Sequence, residues 1–590
     1  MAEPPVDHNV AVESLKAEGN AFHTKGQYKQ AYQKYTEAIA LDGNNAVLYA
    51  NRAASSLALK EYLNAGSDAN KVCYMQLLLM TMASWDSQDE CAQAVSIKPD
   101  YAKAWARLGT ASQALSLYDM STNAWEHALK CLPESASECT PVELRLKDQC
   151  RKGLEAISRD KAKAIEDGKS RKNVASIPHS VAANGDMPWQ RALSMLNEMK
   201  NSSVRTLVFH FCQSNAKSAA PFHTNQGWVI LNAYRDFSKG LATMQATKIT
   251  HDRIEGTADA IVDLTNGILR DPRVFFADSP EWFERLKLQF DIEAKFHGAW
   301  LDCGPDEITK RALELQRRKG WEPVRRALSL TVRGSILRGF LVWFAQKEHV
   351  STLEYYKNAI TILEWGLHTW PNVPNSERGA IFHETFVRGV RRMYLEVYLS
   401  ACKRSGPDSE YSLDTLADLA TKLLEETHAH MPTGQEEWMQ DVGFFLSFFI
   451  YPTAEAHASL GFVNMQKAMR STDDVGRALD YFAASAEQYM KAAMLYPEDD
   501  ENRIYYLRIA FEARWHRGDP LREVLPLCKL VQGTNPKVEK IWEYSTLTPT
   551  RQAFVRGLER FERDAQAKIL EGTYTLETKS SELGLEVVEN

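Results

Sequence analysis

The stretch VESLKAEGNAFHTKGQYKQAYQKYTEAIALDGNN, Val12 to Asn45, decides the fold of the N-terminal part of the chain. Large apolar residues such as Leu15 and Tyr35 recur in it at helical spacing. Gly19 and Ala31 are small, which allows two helices to cross closely. The stretch therefore predicts a hairpin of two packed α-helices.

The same pattern returns along the chain with a period near 34 residues, which is typical of a solenoid of helical hairpins. A further copy begins at Ala102 and has Gly109, Trp125 and a terminating Pro133 in equivalent places. A middle copy opens with AVLYANRAASSLALKEYLNAGSDA, from Ala46. We predict three tetratricopeptide repeats, at about 12–45, 46–101 and 102–135.

The second helix of the middle repeat is interrupted by KVCYMQLLLMTMASWDSQDECAQ, Lys71 to Gln93. Removing the 22 residues Val72 to Gln93 leaves AGSDANKAVSIKPDYAKAWARLG, an unbroken repeat in phase. These 22 codons keep the reading frame, Val-Cys can be encoded as GTATGT and Gln as CAG, as at intron ends. A translated short intron and a genuine insertion both remain open, and sequencing the cDNA distinguishes them.

The rest of the chain reads as further helices with few strand or hairpin signals. Thr140 with Glu143 forms a capping-box pattern at the start of a polar helix, which closes the solenoid. The fold class is therefore all-α, a three-repeat solenoid followed by a larger helical-repeat-like domain. The predicted segments are a disordered N-terminus 1–11, repeats 12–135, capping helix 140–167, linker 168–188, helical domain 189–575 and tail 576–590.

Composition excludes several classes of protein. The chain has 590 residues, 44% of them hydrophobic and 25% charged, with a net charge of -7 that gives no general attraction for nucleic acid. Nine cysteines without a CxxC pair argue against a disulfide framework or zinc module. The acidic start and the short run VGFFLSFFIYP predict neither a signal peptide nor a membrane span. A cytoplasmic protein is expected.

Motifs for catalysis are missing from the sequence. No HExxH, GxGxxG or phosphate loop occurs, and the metal-binding runs GDxHG and GDxxDRG are absent. His428 and His430 have metal-like spacing, but they read as ordinary loop histidines. We therefore predict no enzyme activity, no catalytic residue, no cofactor and no metal.

Three short signatures make residues 12–167 resemble the tetratricopeptide co-chaperones, such as the Hsp organising protein, the small glutamine-rich tetratricopeptide protein and protein phosphatase five. They are LKAEGNAF in the first helix, YANRAA in the third and YAKAWARLG in the fifth. The resemblance implies a carboxylate clamp for the acidic C-terminal tails of heat-shock chaperones. Its five residues would be Lys16, Asn20, Asn51, Lys103 and Arg107.

Side-chain chemistry independently supports this site. Lys16 and Asn20 are four residues apart, as are Lys103 and Arg107, so each pair lies on one face of its helix. First helices of successive hairpins line the concave side of a solenoid, where the groups can converge. A terminal Asp offers two carboxylates, which Lys, Arg and Asn donors can bind.

Two stretches of the C-terminal part could also bind partners. Lys310 to Arg338 carries nine Lys or Arg against Glu314 and Glu322, either an acidic-partner surface or a solvated face. Aromatic clusters around Phe340 and Phe444 indicate either core packing or a client groove.

These patterns favour an adaptor that docks the tails of seventy- and ninety-kilodalton heat-shock chaperones and binds an unknown client or second partner through its C-terminal domain. A receptor for another acidic C-terminal peptide is the alternative within the same class. An enzyme with an unrecognised helical active site is the alternative from a different class.

Overall fold

The computed structural model describes nine stretches of the chain. They are residues 8–73, 100–135, 137–171, 186–201, 225–249, 254–277, 281–406, 409–432 and 441–582. The contacts divide the chain into two compact units. Unit 1 contains the described residues of Met1–Ser170 and Ala294–Gly379, and unit 2 contains those of Arg171–Glu293 and Ala380–Asn590.

The N-terminal part of unit 1 consists of helical hairpins, as the periodicity predicts. Its helices are α1 His8–Thr24, α2 Tyr28–Leu41, α3 Ala46–Ala58, α4 Tyr62–Cys73, α5 Ala102–Ala114, α6 Tyr118–Lys130 and α7 Pro141–Arg171.

Close helix crossings explain the spacing of small residues in these hairpins. A Cβ added to Gly19 of α1 would lie 2.6 Å from the ring of Tyr35 on α2. A Cβ on Gly109 of α5 would lie 2.7 Å from the ring of Trp125 on α6. Because no side chain larger than hydrogen fits there, each glycine lets a large ring fill the space between its two helices.

The predicted cap of the solenoid forms at the start of α7. The Thr140 backbone N–H donates to Glu143 Oε2 at 2.7 Å, and the Glu143 N–H donates back to Thr140 Oγ1 at 3.3 Å. This reciprocal pair satisfies two N–H groups at the helix start. The helix continues to Arg171, four residues into the predicted linker 168–188.

The interruption in the middle repeat lies mostly outside the described residues. Helix α4 continues as far as Cys73, so its backbone includes the first two residues of the proposed segment, Val72–Gln93. A translated short intron and a genuine insertion therefore both remain open as explanations of this segment.

Residues 294–379 complete unit 1, although the sequence predicted that they belong to one C-terminal domain of 189–575. The predicted domain is divided because polar groups distant in sequence join this segment to the middle repeat. Lys71 pairs with Glu307 at 2.5 Å, and Glu354 accepts the Leu63 backbone N–H at 3.2 Å. The helices of this segment are α13 Pro305–Lys319, α14 Trp321–Gln346, α15 His349–Thr369 and α16 Asn375–Arg378.

Helix α14 is long and apolar enough to cross a membrane by length and composition alone. Its most apolar window has a mean hydropathy of 1.2, and 61% of that window is buried inside the structure. It also contains Arg333, which is only 5% exposed. The core helix of a water-soluble unit has the same properties, and the predicted absence of a membrane span stays a prediction.

The described residues of unit 2 also form helices, together with two short antiparallel strands in which Lys248 pairs with Glu255 and Ile249 with Ile254. The helices before α13 are α8 Pro188–Ser194, α9 Leu196–Asn201, α10 Gly227–Ala246, α11 Ala260–Arg270 and α12 Trp282–His297, the last of which ends in unit 1. The later helices are α17 Glu384–Arg404, α18 Leu413–Ala429, α19 Val442–Phe445, α20 Tyr451–Arg470, α21 Val475–Leu495, α22 Glu501–Arg517, α23 Leu521–Trp542 and α24 Thr548–Leu570.

A repeat-like crossing is present in unit 2 as well. A Cβ on Gly461 of α20 would lie 2.8 Å from the ring of Tyr489 on α21, as in the hairpins of unit 1. Helix α21 ends just before Pro497, and α22 follows it, as the sequence predicted. The all-α, repeat-like fold class is therefore confirmed.

Both predicted ends of the chain need correction. Residues 8–11 belong to α1 and not to a disordered N-terminus. Within the predicted tail, the carbonyls of Leu576 and Thr578 accept N–H groups at the start of α23, at 3.0 Å each. These bonds satisfy helix-start donors that would otherwise lack partners, so the described part of the tail is ordered against α23.

Candidate peptide-binding site

The predicted clamp residues lie on the first helices of the three hairpins, α1, α3 and α5. Lys16 and Asn20 lie on successive turns of α1, and Lys16 pairs with Glu13 at 2.5 Å. The Lys16 side chain keeps 25% of its surface exposed, and that of Glu13 keeps 63%. Because an exposed pair of this kind is weak, an incoming carboxylate can replace Glu13.

Two asparagines meet at the centre of this face. Asn51 Nδ2 donates to Asn20 Oδ1 at 3.2 Å, and the Tyr35 hydroxyl donates to the same oxygen at 2.7 Å. The Asn20 oxygen is thus occupied by two donors, which fixes both amides. Hydrogens of the Asn20 and Asn51 amide groups are then available as donors to a ligand.

Arg107 adds a cation to the same place. Its Nη1 donates to the carbonyl oxygen of Ala50, the residue before Asn51. Burial lowers the pKa of the Arg107 guanidinium, but arginine remains charged under all ordinary conditions. Among the described residues Arg107 has no carboxylate partner. A partly buried cation without a counter-charge is costly in a folded protein unless an anion binds there.

Lys103 lies one turn before Arg107 on α5 and is exposed. The structure therefore brings Asn20, Asn51 and Arg107 into one connected group. It places Lys16 and Lys103 one helical turn away, on the same helices as Asn20 and Arg107. The arrangement offers donors and positive charge, which suits a ligand with two carboxylates.

His23 and Tyr35 are parts of this site that sequence reasoning missed. Burial lowers the pKa of His23, and the nearby Arg107 lowers it further. Burial raises the pKa of the Tyr35 hydroxyl, while Arg107 acts in the opposite direction. His23 follows Asn20 by three residues, so its helical position was the signal that could have identified it.

The contacts between residues 294–379 and the repeats avoid the five predicted residues. In the described structure they involve α2, α4, the turn after α3, the end of α5 and the start of α6, as in the bonds of Tyr32 to Asp306, of Ser351 to Ala114 and of Tyr118 to Gln346. The face that carries Asn20, Asn51 and Arg107 is therefore not used by this segment.

The basic stretch Lys310–Arg338 does not form one continuous surface. Arg333 is buried, Arg338 donates to the Leu301 carbonyl at 2.7 Å, and Arg325 donates to the Ser376 carbonyl at 2.7 Å. The exposed end of α13 carries Arg317, Arg318 and Lys319, where cations are favoured by the helix dipole. Internal contacts and the helix dipole therefore account for the cations of this stretch, and no acidic partner is needed to explain them.

The aromatic clusters are mainly core. Phe340 is 4% exposed, and Phe445 and Phe449 after Phe444 are 1% and 2% exposed. Of the two histidines with metal-like spacing, His430 has an ordinary partner, since its Nε2 lies 3.2 Å from Glu384 Oε1. Within the described ranges, no group of three or more His, Cys, Asp or Glu is arranged to hold a metal.

No protein-family model matches the chain. It is 37% identical over 118 residues to the "Heat shock protein sti1 homolog" of Schizosaccharomyces pombe, a match covering 20% of this chain and 16% of that protein. It is 32% identical over 138 residues to the "Small glutamine-rich tetratricopeptide repeat-containing protein 2" of Saccharomyces cerevisiae, covering 23% of this chain and 34% of that protein.

A third relative is the "Hsp70-Hsp90 organizing protein" of Triticum aestivum, 31% identical over 123 residues, which are 21% of this chain and 17% of that protein. The chain thus spans between 16 and 34% of the length of these three relatives. The matched part of the chain is thus similar to proteins named for tetratricopeptide repeats and for organising Hsp70 and Hsp90, and its helical hairpins agree with that similarity.

Proposed function

We propose that the protein is a co-chaperone adaptor whose repeats bind the acidic C-terminal tail of seventy- and ninety-kilodalton heat-shock chaperones. The observation that supports this most is Arg107, a partly buried cation that has no carboxylate partner among the described residues. It is joined through Ala50 to the asparagine pair of Asn20 and Asn51.

The chemistry of the tail fits this group. A C-terminal Asp carries its side-chain carboxylate and the chain-end carboxylate a few ångströms apart. One of these would pair with Arg107 and Lys103, and the other would accept from Asn20, Asn51 and Lys16. Hydrogen bonds from charged donors to carboxylates are roughly twice as strong as neutral ones.

The names of the relatives support the same class of partner. One is named a heat shock protein homolog, and another is named for organising Hsp70 and Hsp90. For this chain the proposal has three further parts. The five predicted residues hold the tail, the protein acts in the cytoplasm, and unit 2 binds a client or second partner.

Calorimetry with the full chain and the peptide Met-Glu-Glu-Val-Asp tests the proposal. We expect binding that weakens by about 100-fold when Lys103→Glu is combined with Arg107→Ala, because loss of such charge pairs costs about 2–5 kcal/mol. Lys130→Glu is the matched control, since Lys130 is exposed on α6 of the same hairpin.

A peptide that ends in an amide should bind much more weakly than the free acid. If the double variant binds as the unaltered protein does, the clamp assignment is wrong. If the peptide amide binds as tightly as the free-acid peptide, the site does not recognise a C-terminal carboxylate.

A further inference from the structure

Unit 2 contains a cavity of about 180 Å³ that the tail-binding proposal does not use. A single buried water needs roughly 10–15 Å³ measured in this way, so the cavity has room for a larger group. Its walls come from the turn after α11 and from α17, α20 and the start of α22. We call it the acidic cavity, and the residues that give it its chemistry are the acids Asp271, Glu396 and Glu455, the two arginines Arg273 and Arg392, and the tyrosines Tyr451, Tyr496 and Tyr506.

The two arginines of the cavity are already engaged by the protein. Arg273 donates to both Asp271 and Asp500, at 2.7 and 3.0 Å, and lies 3.5 Å from Glu501. Arg392 donates to the backbone carbonyl of Leu269 at 3.1 Å. Since three carboxylates, Asp271 among them, share the charge of Arg273, little of it is left to compensate the other acids that line the cavity, Glu396 and Glu455.

Glu455 is the acid left without adequate compensation. Its nearest guanidinium atom is Arg392 Nε, at 3.9 Å from Oε1. The second oxygen, Oε2, is buried and accepts no hydrogen bond from the described residues. Buried polar atoms are nearly always hydrogen-bonded, so this oxygen marks the place of a missing partner.

The tyrosines of the cavity are a second feature that bears on its ligand. Tyr496 is 1% exposed and lines the cavity together with Tyr451 and Tyr506. Its ring lies 5.0 Å from that of Tyr451 and 5.7 Å from that of Tyr506, centroid to centroid. Aromatic faces attract organic cations, with a preference for sites removed from water.

We propose that the acidic cavity of unit 2 binds a primary alkylammonium group, in which the ammonium donates to Glu455 and the alkyl chain lies against the tyrosine rings. The group could belong to a lysine side chain of a partner protein or to a free diamine. The proposal goes beyond the chaperone-tail site, which lies in unit 1, and does not depend on it.

Protonation gives this proposal a distinctive signature. Burial raises the pKa of Glu455 to about 8, so its carboxyl is mostly protonated at pH 7. A bound ammonium favours the ionised carboxylate, and its binding therefore releases a proton. The charged and titratable groups facing Glu455 are Arg392, Glu396, Asp271, Arg273, Tyr496, Asp500, Tyr451 and Tyr506.

Calorimetry with the full chain tests it, using Nα-acetyl-lysine methylamide, 1,4-diaminobutane and the uncharged Nα-acetyl-norleucine methylamide. At pH 7 we expect one or both cations to bind at least about tenfold more tightly than the norleucine probe. Titrations in two buffers of different ionisation enthalpy should reveal proton release at pH 7 that disappears at pH 9. Binding of the lysine probe alone indicates a protein partner, and binding of the diamine alone indicates a free polyamine.

Two variants locate the binding. Glu455→Gln should weaken cation binding at least about tenfold and remove proton release, while Glu487→Gln, an acid paired with Lys491 on α21, should change neither. Tyr506→Leu keeps every charge and should also weaken the cations, which covers the case that Glu455→Gln does not fold. Lys103→Glu with Arg107→Ala should leave cation binding unchanged.

The proposal is overturned if the norleucine probe binds as well as the cations, or if Glu455→Gln or Tyr506→Leu folds and binds the cations as before.

Discussion

Two arginines, Arg107 in the repeats and Arg273 in unit 2, are both withdrawn from water but are treated in opposite ways. Arg273 is surrounded by Asp271, Asp500 and Glu501 and lies 4.4 Å from the centre of the Trp542 ring. Arg107 has the carbonyl of Ala50 and no described carboxylate. The first arrangement joins distant segments of the chain, whereas the second, on our proposal, leaves a charge for a ligand. The two arginines then differ in the source of their counter-charge, which is the chain itself for Arg273 and the bound peptide for Arg107.

The largest effect is expected for Arg273→Ala. It leaves three carboxylates without their shared cation, and breaking such a buried pair costs about 3–5 kcal/mol of unfolding free energy. Guanidinium-induced unfolding followed by tryptophan fluorescence measures it. Arg477→Ala, at an exposed site on α21, should stay within about 0.5 kcal/mol of the unaltered protein. If Arg273→Ala lowers the unfolding free energy by less than about 1 kcal/mol, Arg273 does not stabilise the fold and the contrast with Arg107 is wrong.

Arg107→Ala should show the reverse behaviour. We expect tail-peptide affinity to fall about 30-fold, less than for the double variant with Lys103→Glu, since one charge partner of the peptide is lost. The unfolding free energy should stay the same or rise slightly, because the variant removes a cation that lacks a counter-charge. Calorimetry and unfolding on the same preparation give both values. A large loss of stability would mean that Arg107 is structural.

The acids of unit 2 predict a pH dependence of stability. Burial raises the folded-state pKa of Glu455 to about 8, against an ordinary value near 4.5. The folded state then holds this proton more tightly than the unfolded chain does, so its stabilising effect is complete below pH 4.5 and lost as the pH rises through 8. We expect the unfolding free energy to fall by roughly 1–3 kcal/mol between pH 5 and pH 8.

Glu455→Gln should flatten this part of the pH profile, because the amide does not titrate. Glu487→Gln is the matched control and should keep the slope of the unaltered protein. An unchanged slope in Glu455→Gln would assign the pH dependence to another group.

The smallest effect concerns the support of the asparagine pair. Tyr35→Phe removes the hydroxyl that donates to Asn20 Oδ1 and frees the Asn20 amide to turn. One neutral hydrogen bond contributes about 0.5–1.5 kcal/mol, so tail-peptide affinity should fall by roughly 2- to 10-fold. Calorimetry detects this change. Equal affinity for Tyr35→Phe would show that Asn51 alone positions Asn20.

Local patterns predicted much of the fold. Gly19 with Tyr35 and Thr140 with Glu143 are signals between near neighbours, and the structure confirms the close crossing and the capping box. The segment 294–379 was misassigned because its attachment depends on pairs such as Lys71 with Glu307, which are 236 positions apart and follow no period.

The candidate peptide-binding site was predictable only as far as helical spacing determines the face of a helix on which a residue lies. Spacing placed Asn20 and Arg107 on their helix faces, but it could not reveal that Ala50 offers a carbonyl to Arg107 or that Tyr35 fixes Asn20. The acidic cavity was invisible in the sequence for the same reason. Its walls come from separate helices, and no stretch of sequence contains more than a part of it.

The attachment of residues 294–379 to the middle repeat affects how the protein can be divided for experiments. Gly304 lies so close to α4 that a Cβ there would be 2.7 Å from the Cα of Asn64. A fragment cut at the linker near residue 171 would uncover this surface beside the helix hairpin that carries Asn51. Weak peptide binding by such a fragment would then result from the truncation and would not show that the five predicted residues are the wrong site. A fragment beginning at the linker would carry residues 294–379 without the repeats they pack against.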